Sequence, residues 1–449
     1  MVNQSSFTAV EKKASMSLSL IYGTRMFGLF LIFPVFAIYA KDMAGASPLL
    51  IGFALGVYGL SQSILQIPFG VLSDKLGRKV MISVGLVLFI IGSIICALAD
   101  NIYWIIIGRA VQGSGAVAAV IMALAADLTA EHNRTKIMAF IGISIGISFV
   151  LSLIAGSFLA PIIGGLAGLF YLTAILALIG LIILWWVVPN PKKSSFHRDA
   201  QPVASQLWQM FNHPQLSLLN VSIFLLHMTL SSLFLIVPHL MMQAGLLQND
   251  FWQVYAVVMV LAIIFMMPLI IIAEKYGKMK LVFMVSIALL GMAVYILQLS
   301  FAQIIIVYVA LSLYFTGFNA IESILPSLVS RIAPSDKKGS AMGIYTTFQF
   351  LGSFAGGGFG GFLLGLGDFY LFSFLMLITT LWVLLLGFYM QHPKMISSAL
   401  FKIKSKARKG DILKFTGVVE ATINRSEKIA YLKVDNKTFK RQDFIDKFV

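Results

Sequence analysis

The chain has 449 residues, of which 59% are hydrophobic and 11% charged, and its mean hydropathy of +0.92 excludes a single soluble globular domain. The net charge is +15, and 13 of the 33 basic and 6 of the 18 acidic residues lie in the last 52 positions, so a small charged tail follows an apolar membrane body. Neither part has the dense basic run of a nucleic-acid-binding protein, and the single cysteine, Cys96, excludes intrachain disulfides and thiolate zinc sites.

Apolar segments long enough to cross a bilayer recur along the chain. A bilayer core of about 30 Å requires roughly 20 apolar residues of helix for one crossing. The segments are continuous and lack the alternation of membrane strands, so they predict helices. Lys12 and Lys13 precede the first one, which we interpret as an uncleaved signal anchor. The prediction is an all-α membrane protein with twelve transmembrane helices, at about residues 17–40, 49–73, 80–99, 102–127, 136–160, 165–188, 215–240, 251–273, 281–300, 303–328, 339–363 and 368–390.

The loops between these helices are strongly asymmetric in charge. Loops on the side of the N-terminus carry 17 basic residues, whereas the opposite loops carry Lys41 alone. Because lysine and arginine are retained in the cytoplasm, we expect a multi-pass protein of the bacterial inner membrane with both termini and the tail in the cytoplasm. The side with the 17 basic residues is called the basic side below. These residues are Lys12, Lys13, Lys75, Arg78, Lys79, Arg134, Lys136, Lys192, Lys193, Arg198, Lys275, Lys278, Lys280, Arg331, Lys337, Lys338 and Lys394.

The longest polar connection divides the body into two sets of six helices. We predict an N-terminal half at 1–190, a cytoplasmic linker at 191–214, a C-terminal half at 215–392 and a tail domain at 398–449. Two parallel six-helix repeats with a binding site between them are typical of secondary transporters. The halves share a pattern at an offset of 200 residues, in which Pro68-x5-Asp74-Lys75-x-Gly77-Arg78 matches Pro268-x5-Glu274-Lys275-x-Gly277-Lys278.

Three motifs in the first half resemble those of a known transporter family, the major facilitator superfamily. They lie after the second predicted helix (motif A), on the fourth (motif B) and on the fifth (motif C, the antiporter type). Motif C departs from the family pattern at Ala160, where glycine usually precedes the proline. The matching residues are Gly70, Asp74, Gly77 and Arg78 in motif A, Arg109, Gln112, Gly113 and Gly115 in motif B, and Gly156, Pro161, Gly164 and Gly165 in motif C.

The order of the motifs and the layout of the chain are similar to the drug:proton antiporters of this superfamily that carry a C-terminal ferredoxin-like domain. The resemblance covers about residues 15–392 and extends to the tail. It implies a twelve-helix fold and transport by alternating access. It also implies that Asp74 and Arg78 form a conformational lock at the cytoplasmic rim with Asp127, which ends the fourth helix, and that this lock stabilises the outward-facing state.

Four ionisable side chains lie well inside the predicted helices, where charge is costly and tends to face a cavity or a partner. They are Arg25, Arg109, His227 and Glu322, and in this superfamily their helices would line the central cavity. We predict that all four take part in proton coupling. Burial favours the protonated form of a carboxyl group, so we expect Glu322 to bind and release a proton, with Asn319 one turn away as its hydrogen-bond partner. The alternative is a structural carboxylate held by Arg25 or by a backbone group.

The remaining candidates have alternatives as well. His227 can change charge near neutral pH, but a lone histidine is as often a buried hydrogen-bond donor. Arg109 does not itself release a proton, and a fixed charge that orders the cavity or an anionic substrate is an equal alternative. For the substrate cavity we predict polar and aromatic side chains at Tyr58, Gln66, Gln112, Tyr314, Asn319, Tyr345 and Gln349.

The tail changes character abruptly. Its periodicity predicts a strand at 400–404, a short helix at 408–415, strands at 417–423 and 428–435, and an amphipathic helix at 439–448. This order is one strand short of a ferredoxin-like domain. Without cysteine it is not expected to carry metal. Its basic surface is suited to anionic lipid headgroups, a regulatory anion or the transporter's own cytoplasmic face, and a passive solubilising appendage is the equal alternative.

The sequence therefore predicts a transporter that exports small amphipathic compounds in exchange for protons. Its expected partners are a small-molecule substrate, protons and the lipid bilayer, with no nucleic acid, cofactor or metal. A proton-linked importer of a small metabolite and a non-transporting membrane sensor that signals through the tail are the alternatives. No phosphate-binding loop, nucleophile elbow or metal-ligand cluster indicates an enzyme.

Overall fold

A computed structural model describes residues 7–130, 133–190, 204–299, 303–334, 337–391, 396–403, 409–424, 429–435 and 438–449. Over these residues the chain forms long apolar helices as far as Tyr389 and then a small α/β domain. Helices suit a bilayer because each one satisfies its backbone hydrogen bonds internally. The predicted basic residues Lys192, Lys193, Arg198 and Lys394 lie outside the described residues.

The first half makes six crossings from eight helical segments. The first predicted crossing is divided into α1 (Ala9–Phe30) and α2 (Phe36–Ala40), with Pro34 in the turn between them. The fourth is divided into α5 (Ile102–Ser114) and α6 (Ala118–Asp127). The remaining crossings are α3 (Pro48–Leu76), α4 (Arg78–Ala97), α7 (Arg134–Leu159) and α8 (Gly165–Trp186).

The second half follows a short helix in the linker. This helix, α9 (Ala204–Phe211), was not predicted, because its eight residues lie in the polar connection that was assigned as a linker. It contacts the start of a later helix, since Gln209 accepts a hydrogen bond from Lys337 and Gln206 accepts one from Ser340. The six crossings are α10 (Pro214–Gln243), α11 (Phe251–Lys275), α12 (Met279–Gln298), α13 (Ile304–Ile332), α14 (Lys338–Leu366) and α15 (Asp368–Tyr389).

Ten of the described helical segments are long and apolar enough to cross a membrane by length and composition alone. Two further crossings complete the predicted twelve. One is formed by α1 together with α2, and the other is α14. Lys12 and Lys13 lie in the first turns of α1, and α14 is rich in glycine, serine and threonine, so both are less apolar than the others. The predicted twelve-helix fold is confirmed.

The internal repeat is visible in matching contacts of the two halves. In the first half, Lys79 at the start of α4 donates a hydrogen bond of 2.6 Å to the carbonyl of Val188, just beyond α8. In the second half, Lys280 at the start of α12 donates hydrogen bonds of 2.9 and 2.7 Å to the carbonyls of Gly387 and Met390, at the end of α15. A lysine thus occupies the free carbonyls at the end of the last helix in each half, where the helix dipole favours a positive charge.

The two halves meet most closely where α3 packs against α14, on the side opposite to the basic side. A Cβ atom on Gly52 would lie 2.1 Å from the carbonyl oxygen of Gly357, and one on Gly361 would lie 2.4 Å from the carbonyl oxygen of Pro48. Only glycine permits such an approach of two backbones. Nearer the basic side, Gln66 of α3 donates a hydrogen bond to Thr346 of α14.

An aromatic layer joins the halves in the middle of the membrane. Phe33 contacts Phe234 with ring centroids 5.5 Å apart, and Phe149 of α7 stacks on Phe318 of α13 at 5.6 Å. Towards the basic side the same helices separate: a Cβ on Gly142 of α7 would have no neighbour within 4 Å, and that end of α11 is largely exposed. The protein is therefore closed on the opposite side and more open on the basic side.

The tail forms a three-stranded antiparallel sheet with helices between and after the strands. The strands are β1 (Ile396–Lys402), β2 (Val418–Asn424) and β3 (Ile429–Asp435), in the order β1-β3-β2. The helices are α16 (Lys409–Leu413) and α17 (Arg441–Phe448), and they bury Ile412, Phe444 and Phe448 against the sheet. This is the predicted ferredoxin-like arrangement without its fourth strand. The first strand begins four residues earlier than predicted, and residues 404–408 lie outside the described residues.

Lys433 in the tail domain contacts the membrane body. Lys433 of β3 donates a hydrogen bond of 3.1 Å to the carbonyl of Ile332, the last residue of α13, and lies 3.4 Å from the Glu420 carboxylate of β2. Burial lowers the pKa of the Lys433 ammonium group, and Glu420 acts in the opposite direction. The lysine therefore gives up hydration to reach the free carbonyl of a helix end.

We expect Gly357→Ala to lower the melting temperature of the purified protein. The added Cβ would lie 2.2 Å from the carbonyl oxygen of Gly52, so α3 and α14 must separate, at a cost of about 1 to 3 kcal/mol. The matched control is Gly358→Ala, because a Cβ there meets nothing within 4 Å and alanine favours the helix. Equal melting temperatures for the two variants in one detergent would contradict this account of the interface.

Candidate functional site

The four ionisable residues predicted inside the helices form two separate clusters instead of one ring around a cavity. Glu322 and His227 lie together in the second half, between α10, α13 and α14. Arg25 and Arg109 lie in the first half, between α1, α3 and α5. Sequence reasoning found all four residues, but it did not show which of them are neighbours.

Glu322 belongs to a hydrogen-bonded triad with residues of two other helices. Its Oε2 atom is 3.2 Å from His227 Nε2, and its Oε1 atom accepts a hydrogen bond of 3.0 Å from Gln349 Nε2. Gln349 Nε2 is also 2.8 Å from His227 Nε2. The Glu322 side chain is 34% exposed and that of His227 is 8% exposed, so the carboxylate is accessible from outside the protein while the imidazole is shielded.

Two expectations about Glu322 need correction. Among the described residues its hydrogen-bond partners are His227 and Gln349, and not Asn319, whose backbone carbonyl instead accepts from Ser323. Arg25 does not hold Glu322 either, because its hydrogen bonds stay within the first half. A helical period of three or four residues predicts neighbours on one helix only. Contacts between α10, α13 and α14 depend on the tertiary packing.

The rings beside the triad belong to the aromatic layer that joins the halves. Phe318, one turn before Glu322, contacts His227 edge to face at 5.8 Å and stacks on Phe149 of the first half. Tyr345 of α14 is buried and interacts electrostatically with Glu322. Because this layer lies between the triad and the closed side, water reaches Glu322 from the basic side.

The buried arginine of motif B forms a compact hydrogen-bonded network. Arg109 donates through Nη1 to Gln112 Oε1 at 2.5 Å and through Nη2 to the carbonyl of Leu55 at 3.3 Å. Gln112 in turn donates to Ser93 Oγ at 2.8 Å. The guanidinium lies 4.9 Å from the centre of the Tyr58 ring, an arrangement that favours a cation.

Arg25 lies on the other side of this network. Its Nη2 atom donates to Gln62 Oε1 at 2.7 Å and to the carbonyl of Gly115 at 2.8 Å. Gly115 lies in the break between α5 and α6, where the interrupted helix leaves its carbonyl accessible to a side chain. Arg25 is 1% exposed and Arg109 is 0% exposed, so neither guanidinium faces water in this conformation. Gln62 was not predicted, because a glutamine inside an apolar segment carries no signal of its partner.

The residues predicted to line the substrate cavity are mostly buried between helices. Tyr314 shares a hydrogen bond of 3.0 Å with Thr229 within the second half, and Gln66 contacts Thr346 across the interface. The hydroxyl groups of Tyr58 and Tyr345 have no hydrogen-bond partner among the described residues. Gln349 joins the Glu322 triad and Gln112 joins the arginine network. The expected single cavity surface is therefore distributed over two clusters and the interface between them.

The predicted rim lock is formed, but it lies within one half. Arg78 contacts Asp74 at 2.5 Å and Asp127 at 3.3 Å, and it also donates to Ser73. Gly77 at the turn has φ of +96°, which suits glycine. Gly70 is buried in the same part of α3. Because these residues belong to α3, α4 and α6, their mutual contacts do not distinguish one arrangement of the halves from another, and they are present here while the basic side is open.

The second half has a simpler version of the same rim. Glu274, which matches Asp74, forms an ion pair of 2.6 Å with Arg331 at the end of α13. Gly277, which matches Gly77, also has a positive φ, of +68°. Arg331 and Glu274 are more exposed than Arg78 and Asp127, so this pair contributes less to stability.

Motif C lies where α7 ends against the break in the first crossing. A Cβ on Gly156 would lie 1.9 Å from the carbonyl oxygen of Leu31, so α7 packs directly on the turn between α1 and α2. Gly164 and Gly165 both have positive φ, of +91° and +69°, and turn the chain into α8 after Pro161. The motif thus fixes the closed side of the first half. Among the described residues, no group of three His, Cys, Asp or Glu side chains is placed to hold a metal ion.

The chain is similar to known proteins over most of its length. The Major Facilitator Superfamily is the family whose sequence model matches, over residues 18–357. The inner membrane transport protein YajR of Escherichia coli strain K12 is 40% identical over 446 residues, which are 98% of either chain. The quinolone resistance protein NorA of Staphylococcus aureus strain MSSA476 is 27% identical over 352 residues, 73% of this chain and 84% of that protein.

Two solved structures have the same fold at low sequence identity. A bacterial homologue of the human lysosomal transporter Spinster, in an inward-facing and occupied conformation, has a TM-score of 0.68 at 13% identity over 86% of this chain and 97% of that chain. A D-xylose-proton symporter has a TM-score of 0.65 at 19% identity over 85% of this chain and 98% of that chain.

We expect Arg78→Gln to destabilise the protein by about 3 to 5 kcal/mol, because it removes the cation that lies 2.5 Å from Asp74 and 3.3 Å from the buried Asp127 carboxylate. Arg78→Gln combined with Asp127→Asn should recover part of this loss, since the buried carboxylate that faced Arg78 is then neutral as well. Lys75→Gln, an exposed charge in the same turn, is the control and should have little effect. Thermal unfolding in one detergent measures all three. If the double variant is no more stable than Arg78→Gln, the loss of stability does not come from the ion pair between Arg78 and Asp127.

Proposed function

The chain belongs to the major facilitator superfamily, and on that basis we propose that this membrane transporter exchanges protons for small amphipathic compounds by alternating access. The observation that carries the proposal is the contact between His227 and Glu322. Both side chains are titratable. They lie between the aromatic layer and the open basic side.

The geometry of this pair supports a bound proton. An ionised carboxylate only accepts hydrogen bonds, and an imidazole nitrogen without hydrogen also accepts. Two such acceptors repel each other at the 3.2 Å that separates His227 Nε2 from Glu322 Oε2. Gln349 Nε2 is a donor and lies 2.8 Å from His227 Nε2, so this ring nitrogen carries no hydrogen and the proton of the contact belongs to Glu322. Gln349 also donates to Glu322 Oε1 and thereby holds the carboxyl group beside the imidazole.

The same pair provides a physical basis for coupling. Closing the basic side over an ionised Glu322 would remove a charge from water and would cost several kcal/mol. A deprotonated, empty transporter therefore stays open until a proton or a substrate occupies the site. Proton loading permits one transition and substrate loading the other, which is the requirement of an antiporter.

Charge distribution supports the orientation. The basic side carries nearly all loop lysines and arginines, so we propose that it faces the cytoplasm of a bacterial inner membrane, with both termini on that side. In this orientation the described conformation is inward-facing. The rim network of Arg78 then braces the cytoplasmic ends of the first half, and any preference for the outward-facing state requires a further contact with the second half.

Export of amphipathic compounds is supported by the likeness to NorA, whose name associates it with quinolone resistance. The fold alone does not decide direction, because a D-xylose-proton symporter shares it. Import of a small metabolite with protons is therefore the second candidate. A sensor that has lost transport is disfavoured, since the Glu322 triad and both halves of the repeat are intact.

For the tail domain we propose docking on the cytoplasmic face of the second half. The supporting contact is that of Lys433 with the end of α13, the helix that carries Glu322. Both the terminal carbonyl and the negative end of the helix dipole attract an ammonium group. Binding of anionic headgroups by other basic residues of the domain is compatible with this position.

We expect Glu322→Gln to abolish accumulation driven by a pH gradient. Glutamine keeps the hydrogen-bonding shape but does not titrate, so the flux of norfloxacin into proteoliposomes should fall at least about tenfold. Exchange of labelled for unlabelled norfloxacin without a gradient should persist, because it needs no net proton transfer. Asp368→Asn, an exposed acid at the start of α15, is the control. Undiminished gradient-driven flux in Glu322→Gln would rule out this proton site.

We expect Lys433→Met to release the tail domain from α13. Hydrogen–deuterium exchange should become faster at residues 329–333, the end of α13 that includes the contact at Ile332. Glu420→Gln is the matched control, because it removes the ion pair inside the domain and leaves the bond to Ile332. Equal protection of α13 in the wild type and in Lys433→Met would contradict docking through this residue.

A further inference from the structure

We propose that Arg25 and Arg109 form a binding site for the anionic group of a substrate that has an aromatic body. This inference rests on the proposed transport function and deepens it, since it names the charge and the shape of a substrate class. It arises from the network of buried polar side chains between α1, α3 and α5, which lies apart from the Glu322 triad.

The first argument is uncompensated charge. Both guanidiniums are almost completely buried, and among the described residues no carboxylate lies within ion-pair distance of either one. An arginine stays protonated even where burial is costly. Two positive charges in a low-dielectric region cost several kcal/mol each unless an anion joins them. Every other strongly buried cation of the membrane body lies at a helix end and has a carboxylate or a free terminal carbonyl.

The second argument is unused hydrogen-bonding capacity. Nε and Nη1 of Arg25 and Nε of Arg109 have no hydrogen-bond partner among the described residues, and Gln62 Nε2 beside them has none. Each of these atoms is a donor. A buried group of donors without acceptors matches a carboxylate, sulfonate or phosphate oxygen, and two guanidiniums offer the fork geometry that such oxygens prefer.

The third argument concerns the shape of the ligand. The Tyr58 ring lies 4.9 Å from the Arg109 guanidinium and 6.0 Å from that of Arg25, so one ring separates the two charges. Phe89 lies 5.5 Å from Arg25 and contacts Tyr58 edge to face. A flat apolar body next to the charged group of a bound ligand would pack against these rings.

Access to the site follows from the interface between the halves. Tyr58 packs against Phe350 of α14 with ring centroids 6.4 Å apart, and α14 belongs to the other half. The rocking motion that alternating access requires changes the contact between α3 and α14. The arginines therefore lie one aromatic layer behind a surface that opens during transport, and a ligand reaches them when Tyr58 and Phe350 separate.

Three probes of the same size and different charge test the proposal. The full-length protein in lipid nanodiscs is titrated with 2-naphthoate, 2-naphthylmethanol and 2-naphthylmethylammonium, and binding is measured by calorimetry. We expect the naphthoate to bind at least about tenfold more tightly than either other probe, as a charge-assisted hydrogen bond provides. Equal binding of the three probes, preference for the cation or absence of naphthoate binding would overturn the proposal.

Variants test the assignment to these two residues. Arg25→Gln and Arg109→Gln should each weaken naphthoate binding about tenfold or more and leave binding of the alcohol unchanged. Lys41→Gln removes an exposed positive charge elsewhere and should change nothing. If a glutamine variant does not fold, the corresponding lysine variant is used instead. It keeps the positive charge but lacks the two parallel N–H donors of a guanidinium, so its affinity for naphthoate should be intermediate. Unchanged naphthoate affinity in the folded variants would overturn the assignment.

The proton-coupling proposal and this one fail separately. Glu322→Gln should lose gradient-driven flux of norfloxacin and still bind naphthoate in preference to the alcohol and the cation, because the arginines that give this preference are in the other half. Loss of the charge preference with intact proton-driven flux overturns the anion site alone. A clear preference for naphthoate without any proton-driven flux overturns the proton-coupled function alone.

Discussion

The cost of placing charge in a bilayer determines where this protein keeps its few ionisable groups. Most basic residues of the membrane body lie on one side, and Arg78, Lys79 and Lys280 at helix ends contact a carboxylate or a terminal carbonyl. Arg78 pairs with Asp127 in one half, and Lys280 caps the last helix of the other. Ionisable groups that remain deeper must have a functional use or a very complete set of hydrogen bonds. In the part of the chain that the structure describes, the Glu322 triad and the arginine network are of this kind.

Close backbone contacts solve the second problem, which is how two halves without a hydrophobic driving force between them recognise each other. In a membrane, helices associate through close packing and interhelical hydrogen bonds. Gly52 and Gly357 allow α3 and α14 to touch along their backbones, and Gly156 does the same for α7 and the break in the first crossing. Such contacts need no side chains to be reordered when the halves move. The aromatic layer around Phe149 and Phe318 then seals the centre of the membrane.

The sequence predicted the fold well and the site only in part. Hydropathy, loop charge and the repeat at Asp74 and Glu274 report on properties of single helices and turns, and these agree with the described helices. The partner of Glu322 was predicted on its own helix, at Asn319, whereas the structure has His227 and Gln349 from two other helices. No periodicity encodes such contacts, because they depend on how three helices rotate and pack. The same limit explains why Arg25 and Glu322 were grouped although they lie in different halves.

The separation of the two clusters has a consequence for the transport cycle. The titratable pair is in the second half, the two fixed cations are in the first, and a layer of rings lies between the halves. A ligand that contacts the arginines therefore reaches Glu322 only through the interface that opens and closes. The ligand therefore acts on the proton site indirectly. It changes the distance between the halves, and this distance determines how much water reaches Glu322. Coupling in this arrangement requires no direct contact between the substrate and the proton site. Binding of either one changes the free energy of closing the interface between the halves, and this change affects the binding of the other.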